Sequence, residues 1–185
     1  MKEKEAPELV EYLINALSDQ DPYIRKRAAR ALADSKDSRV LSCLMNALND
    51  PNPGVRASAA LALGKKGESG AVGSLNRSLS DEDKEVRSAV AYALKKLKDK
   101  RSVEPLIAAL NDPSKSVKVG VIWALMDIGD SRSIEPLIKT LRDQDANIRI
   151  VALRALNKIT GESLSGDPEA WLKWWNGTKK GENPS

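Results

Sequence analysis

No phenylalanine and no histidine occur among the 185 residues, and cysteine appears once, at Cys43. The missing histidine removes the commonest catalytic base and metal ligand at neutral pH. A lone cysteine forms neither an internal disulfide nor a cysteine-rich metal site, so no metal or cofactor is expected. Aromatic residues make up only 4% of the chain. The apolar content is instead mostly Ala, Leu, Val and Ile, which suits closely approaching helices better than sheets, and an all-α class follows. No stretch approaches the roughly 18 apolar residues of a membrane-spanning helix, and the charged start Met-Lys-Glu-Lys-Glu leads into no signal-peptide core. Together with the lone cysteine, these absences predict a cytoplasmic protein. A strong excess of one charge is missing too: 30 Lys and Arg stand against 26 Asp and Glu, a formal +4, with a pI near 9.1. A dedicated nucleic-acid binder concentrates positive charge. Here it gathers only locally, at Arg25, Lys26, Arg27 and Arg30.

What the chain has is repetition. Leucines fall at Leu17, Leu48, Leu79, Leu110 and Leu141 and aspartates at Asp19, Asp50, Asp81, Asp112 and Asp143, each series stepping by 31 residues. The same interval carries Ile24, Val55, Val86, Val117 and Ile148, followed at once by Arg25, Arg56, Arg87, Lys118 and Arg149. Further along come Ala31, Ala62, Ala93, Ala124 and Ala155, each before a leucine. Such a period is the signature of a solenoid, whose units bury their apolar faces only by stacking on one another.

Each unit reads as helix A, a turn and helix B. In the fourth copy, Val103, Leu106, Ile107 and Leu110 share one helical face, with Pro105 inside the tolerated first turn. Helix B starts after Asp21, Asn52, Asp83, Ser114 and Asp145, all N-cap residue types, and Pro22 and Pro53 take the favoured first helical position. Gly67 and Gly129 stand where helix B ends. In the first copy, the core face of helix B centres on Ile24, Ala28, Ala31, Leu32 and Ser35. The alanine series sets the helix spacing, so a bulky residue at Ala93 ranks among the worst single changes.

With Val55 to Gly64 reading Val-Arg-Ala-Ser-Ala-Ala-Leu-Ala-Leu-Gly, and Val103-Glu-Pro-Leu-Ile opening a helix A, residues 9–161 resemble the HEAT-like repeats of the phycobilisome-lyase type. The resemblance implies a right-handed α–α superhelix of five 31-residue hairpins. Repeats are assigned to 9–36, 37–67, 68–98, 99–129 and 130–161. It also implies that the recurrent Asp and Arg form a structural ladder between repeats, and that helix B lines the concave surface. The segment from Gly166 to Trp175 is similar to tails that follow the last repeat in related bacterial and archaeal proteins. It predicts a short helix from Pro168, with Trp171, Leu172 and Trp175 on one face, capping the solenoid at 162–176 before a disordered tail at 177–185. A membrane-interface or partner-binding role for this helix is the alternative.

Function is sought where the repeat leaves residues free. Position 30 of helix B points away from the core and holds Arg30, Leu61, Tyr92, Trp123 and Arg154 across the five copies. Bulky side chains in the middle and arginines at the ends form a groove for a peptide or protein partner, with Lys26 and Arg27 beside it. The alternative is that Tyr92 and Trp123 pack on each other inside a tightly curved solenoid. The chain therefore reads as a non-catalytic binding scaffold. Two further readings follow from resemblance: a subunit or chaperone like the phycobilin lyases, and a nucleic-acid binder like HEAT-like DNA glycosylases. The second would use Trp123 and Asp127, one turn apart, with Lys26, Arg27, Arg30, Lys65, Lys96, Arg154 and Lys158 as groove cations.

Overall fold

The computed structural model describes residues 7–180, which contain eleven α-helices and no strand. Five are the helices A: α1 (Pro7–Ala16), α3 (Arg39–Ala47), α5 (Val72–Ser78), α7 (Val103–Ala108) and α9 (Ile134–Thr140). The helices B are α2 (Pro22–Ala31), α4 (Pro53–Lys66), α6 (Lys84–Leu97), α8 (Lys115–Ile128) and α10 (Ala146–Thr160), and α11 (Pro168–Lys180) closes the C-terminal end. None is long and apolar enough to cross a membrane.

The starts of the helices B follow the cap chemistry. Asp21, Asn52, Asp83 and Asp145 each accept a backbone N–H from the first turn of the helix they precede. Ser114 departs from the expectation: it makes no cap bond, and its hydroxyl pairs with that of Ser116 instead, at 2.9 Å. Gly67, Gly129 and Gly161 end α4, α8 and α10 in the left-handed conformation. Lys98 takes the same conformation after α6, at φ 53°, without being glycine.

Successive helices B pack along one another, and this layer holds much of the core. Val55, Val86, Val117 and Ile148 are fully buried, as are Leu32, Leu63, Leu94, Leu125 and Leu156. Ala62, Ala93, Ala124 and Ala155 lie in the joints, whereas Ala31 is exposed and Ile24 is 36% exposed. The core-face reading of those two residues fails because their side of helix B is the side that later helices B turn toward the preceding repeat, and among the described residues none precedes α2. Neighbouring helices A, by contrast, leave clefts between them, one of about 380 Å3 beside Ile107, Leu110, Pro136 and Thr140. A tight B layer under an open A layer curves the stack with the helices B inside.

The Asp and Arg series ties the stack together. Arg25, Arg56 and Arg87 each donate to the aspartate of the next repeat: Asp50 at 2.7 Å, Asp81 at 2.8 Å and Asp112 at 2.6 Å. Lys118 does the same for Asp143 at 2.6 Å. The arginines also donate to carbonyls of their own turn, as Arg56 does to Asp50 O and Pro51 O at 3.0 and 3.2 Å. Hydrogen bonds from Arg25 and Lys118 hold Asp50 and Asp143 below the ordinary carboxylate range. Burial pushes Asp81 and Asp112 up, yet the bonds from Arg56 and Arg87 leave both lowered as well. Among the described residues the ladder stops at Arg149, which donates to the carbonyls of Asp143 and Gln144 at 2.8 and 2.9 Å and meets no aspartate. The next aspartate position is occupied by Trp174.

Helix α11 packs against α9 and caps the last repeat. Trp171 is fully buried and donates its indole N–H to Ser165 O at 2.9 Å, while Leu172, Trp174 and Trp175 pack partly buried on the core. The helix continues past the expected boundary at 176. Thr178 bonds back to Trp174 O at 3.0 Å, and Lys179 lies 5.3 Å over the Trp175 ring and 3.6 Å from Glu135. Residues 177–180 are therefore helix rather than tail. The remaining tail positions and the Met-Lys-Glu-Lys-Glu start lie outside the described residues.

Candidate binding groove on the inner helix B surface

On the inner surface, position 30 of each repeat forms a row that runs across the stack. Arg30 and Arg154 are exposed at its ends, Leu61 is 37% and Tyr92 46% exposed, and Trp123 is half-buried against the core. Among the described residues no ring contact joins Tyr92 to Trp123. The aromatic contacts lie in α11, where Trp171, Trp174 and Trp175 pair at 5.8 and 6.1 Å. Each groove ring carries an ammonium instead: Lys96 lies 5.5 Å over Tyr92 and Lys95 lies 4.8 Å over Trp123. A cation over an aromatic face is held by the ring quadrupole.

Of the flanking cations, Lys26 lies half-buried with its stem across Gly54 at the start of α4, where an added Cβ would stand 3.7 Å from Lys26 Cδ. Arg27 sits at the edge. Its guanidinium stacks 5.8 Å over Tyr23 and donates to that hydroxyl at 3.2 Å. The equivalent positions Ser58, Ala89 and Val151 are buried between repeats. The structure thus groups Lys26 with Arg30 and draws Arg27 toward the N-terminal end.

Two of the expected groove cations are already neutralised. Lys65 pairs with Asp34 at 2.6 Å and Lys158 with Asp127 at 2.7 Å, and Lys95 approaches the same Asp127 carboxylate at 4.0 Å. Burial raises the Asp127 carboxyl, but the Lys158 bond and the neighbouring lysines bring it below its ordinary value. It stays ionised as the anchor of a lysine pair, which is poor preparation for a catalytic base beside Trp123. Sequence reasoning missed Lys95 and also Ile150, which is 51% exposed. Both lie on the side of helix B that faces the following repeat. Lys95 leans onto Trp123 of the next repeat, and among the described residues no further repeat follows to cover Ile150. The signal was available in the 31-residue offset, which makes Asp34 with Lys65 and Asp127 with Lys158 spatial neighbours.

Models of HEAT repeats match residues 2–50, 43–117 and 103–170. The chain belongs to the HEAT-repeat family. Among solved structures, this HEAT-repeat chain is similar to the complex of CpcE and CpcF of phycocyanin lyase from Nostoc sp. PCC7120. That match has a TM-score of 0.74 at 28% identity, over 94% of this chain and 71% of that one. An engineered protein matches with a TM-score of 0.65 at 25% identity, over 81% of this chain and 78% of that one. A designed armadillo repeat protein in complex with the peptide (KR)4 shares the fold, with a TM-score of 0.65 at 21% identity over 92% and 89% of the two chains. No curated protein matches. The resemblance to phycobilisome-lyase repeats and the α-solenoid fold both hold.

Proposed function

We propose that this HEAT-repeat protein is a non-catalytic scaffold whose inner helix B surface binds an extended segment of a protein partner, with Leu61, Tyr92 and Trp123 as anchors. The observation that carries this reading is Tyr92, 46% exposed in the middle repeat with the Lys96 ammonium over its ring, at a position outside the buried core. Tyrosine and tryptophan in the centre of a surface are the residue types that dominate binding energy. With helices about 8–10 Å apart, the central three positions span roughly 20 Å, the length of about six extended residues.

Selection of binders from a displayed random-peptide library tests it. Peptides that bind the wild type should lose about ten-fold or more in affinity on Tyr92→Ala, while the melting temperature moves by no more than about 2 °C. Binders indifferent to both Tyr92→Ala and Trp123→Ala, or no binders at all, would reject the groove.

The similarity to the CpcE–CpcF complex favours a second reading, a subunit of a heteromeric phycobilin lyase or a related chaperone. Covalent bilin attachment to a phycocyanin subunit, dependent on this chain, would establish it. Unchanged attachment when the chain is left out would dismiss it.

A further inference from the structure

The inner surface has an uneven charge. Among the described residues of repeat 1, Lys26, Arg27 and Arg30 form no ion pair, and Arg27 meets the neutral Tyr23. The nearby carboxylate of Asp34 is spent on Lys65. Lys96 in repeat 3 and Arg154 in repeat 5 likewise meet no carboxylate among the described residues, whereas Lys158 is satisfied by Asp127. Between and beside these charges stand the exposed apolar groups Leu61, Tyr92 and Ile150. The surface is thus basic at its repeat 1 end and apolar, with single cations, across repeats 2 to 5.

We infer that the segment this groove takes is acidic, with carboxylates clustered over repeat 1 and aliphatic residues following over repeats 2 to 4. The inference rests on the groove reading above and adds the chemistry of the occupant. Uncompensated cations around a partly apolar strip repel a basic peptide, and they gain from an acidic one both in steering and in discrimination. Arg30 and Trp123 are three repeats apart, roughly 24–30 Å, so the acidic cluster and the last apolar anchor lie about eight or nine extended residues from one another. A single-stranded nucleic acid fits less well, because its bases need free aromatic faces on which to stack. The Trp123 ring lies half-buried with Lys95 over it, and Lys96 covers one face of Tyr92. Phosphates, moreover, gain nothing from Leu61 or Ile150.

Fluorescence anisotropy with two labelled synthetic peptides decides it. Both are about twelve residues long, with leucines at every third position of the second half; one carries glutamates in its first half and the other lysines. The acidic peptide should bind about ten-fold or more tighter at low ionic strength, and the gap should narrow toward about 0.5 M salt as the charges are screened. The double variant Arg30→Glu, Lys96→Glu, whose sites are exposed, should keep its melting temperature and lose or invert the preference. Tyr92→Ala should weaken both peptides alike. Equal affinities, or tighter binding of the lysine peptide, would overturn the inference. So would an oligothymidylate that outcompetes the acidic peptide and is itself lost on Arg30→Glu, Lys96→Glu. If neither synthetic peptide binds but library-selected peptides do, the acidic assignment alone falls. If library selection also yields nothing, the groove reading falls with it.

Discussion

At the scale of single residues, the tightest constraint sits at Gly64, in the joint between α4 and α6. A Cβ built there would lie 2.6 Å from Ala93 Cα and 2.8 Å from Ala93 Cβ. Both atoms belong to a buried helix that has no room to retreat. Gly64→Ala is therefore expected to cost about 3 kcal/mol, at the upper end of overpacking effects. Gly120 occupies a comparable joint, yet its added Cβ would meet only Ala91 Cβ, at 3.3 Å. There the gain of about 1 kcal/mol in helix propensity offsets most of the crowding, so Gly120→Ala should be nearly neutral. Thermal melts followed by circular dichroism compare the two variants directly, and equal losses would contradict this account of the joints. Ala93, read from the sequence as a spacing element, has its physical reason in this contact: a glycine facing an alanine lets α4 and α6 come this close.

Among elements, α11 is the one that departs from the period, and its contribution concentrates in one side chain. Trp171 is fully buried, with its indole N–H bonded to Ser165 O, and Arg142 forms an ion pair with Glu169 on the helix surface. Trp171→Ala should destabilise the chain by about 3–5 kcal/mol, measured as a fall in the urea midpoint, whereas Lys173→Ala on the exposed side should change little. Nearly every element was legible in advance, because cap residues and apolar spacing repeat five times and local chemistry decides them. The exceptions have separate causes. In the last turn of α11, Lys179 meets Glu135 of α9, a tertiary contact, as well as Trp175 one turn back in its own helix. Ser114 prefers its neighbour Ser116 to the cap, a choice between two local bonds that residue type alone does not make. For the groove, the row at position 30 was legible from helical geometry. Lys96 over Tyr92 is an i,i+4 pair within α6 that the same geometry displays, but Lys95 over Trp123 and the pairs that neutralise Lys65 and Lys158 cross between repeats, and a single helical wheel does not show them.

The whole molecule is quasi-linear, so stability varies along it. Its two ends differ: α11 covers the last repeat, but at the first repeat Ile24 and Ala31 present to solvent the positions that every later repeat buries. Opening should start there. Amide hydrogen exchange in α2 is expected to run on the order of ten-fold or more faster than in α6 and α8, and uniform protection would contradict the asymmetry. The ladder has a different consequence. Each rung joins one repeat to the next through a cation and an aspartate at the same offset, from Arg25 with Asp50 to Lys118 with Asp143. Internal repeats are therefore interchangeable parts, and unequal crossing-over within the gene can duplicate one without disturbing either end. Every added copy would lengthen the inner surface by one helix spacing, about 8–10 Å, room for roughly three more residues of an extended ligand. The length of what is recognised is then counted in copies, while its chemistry is spelled by one residue per copy.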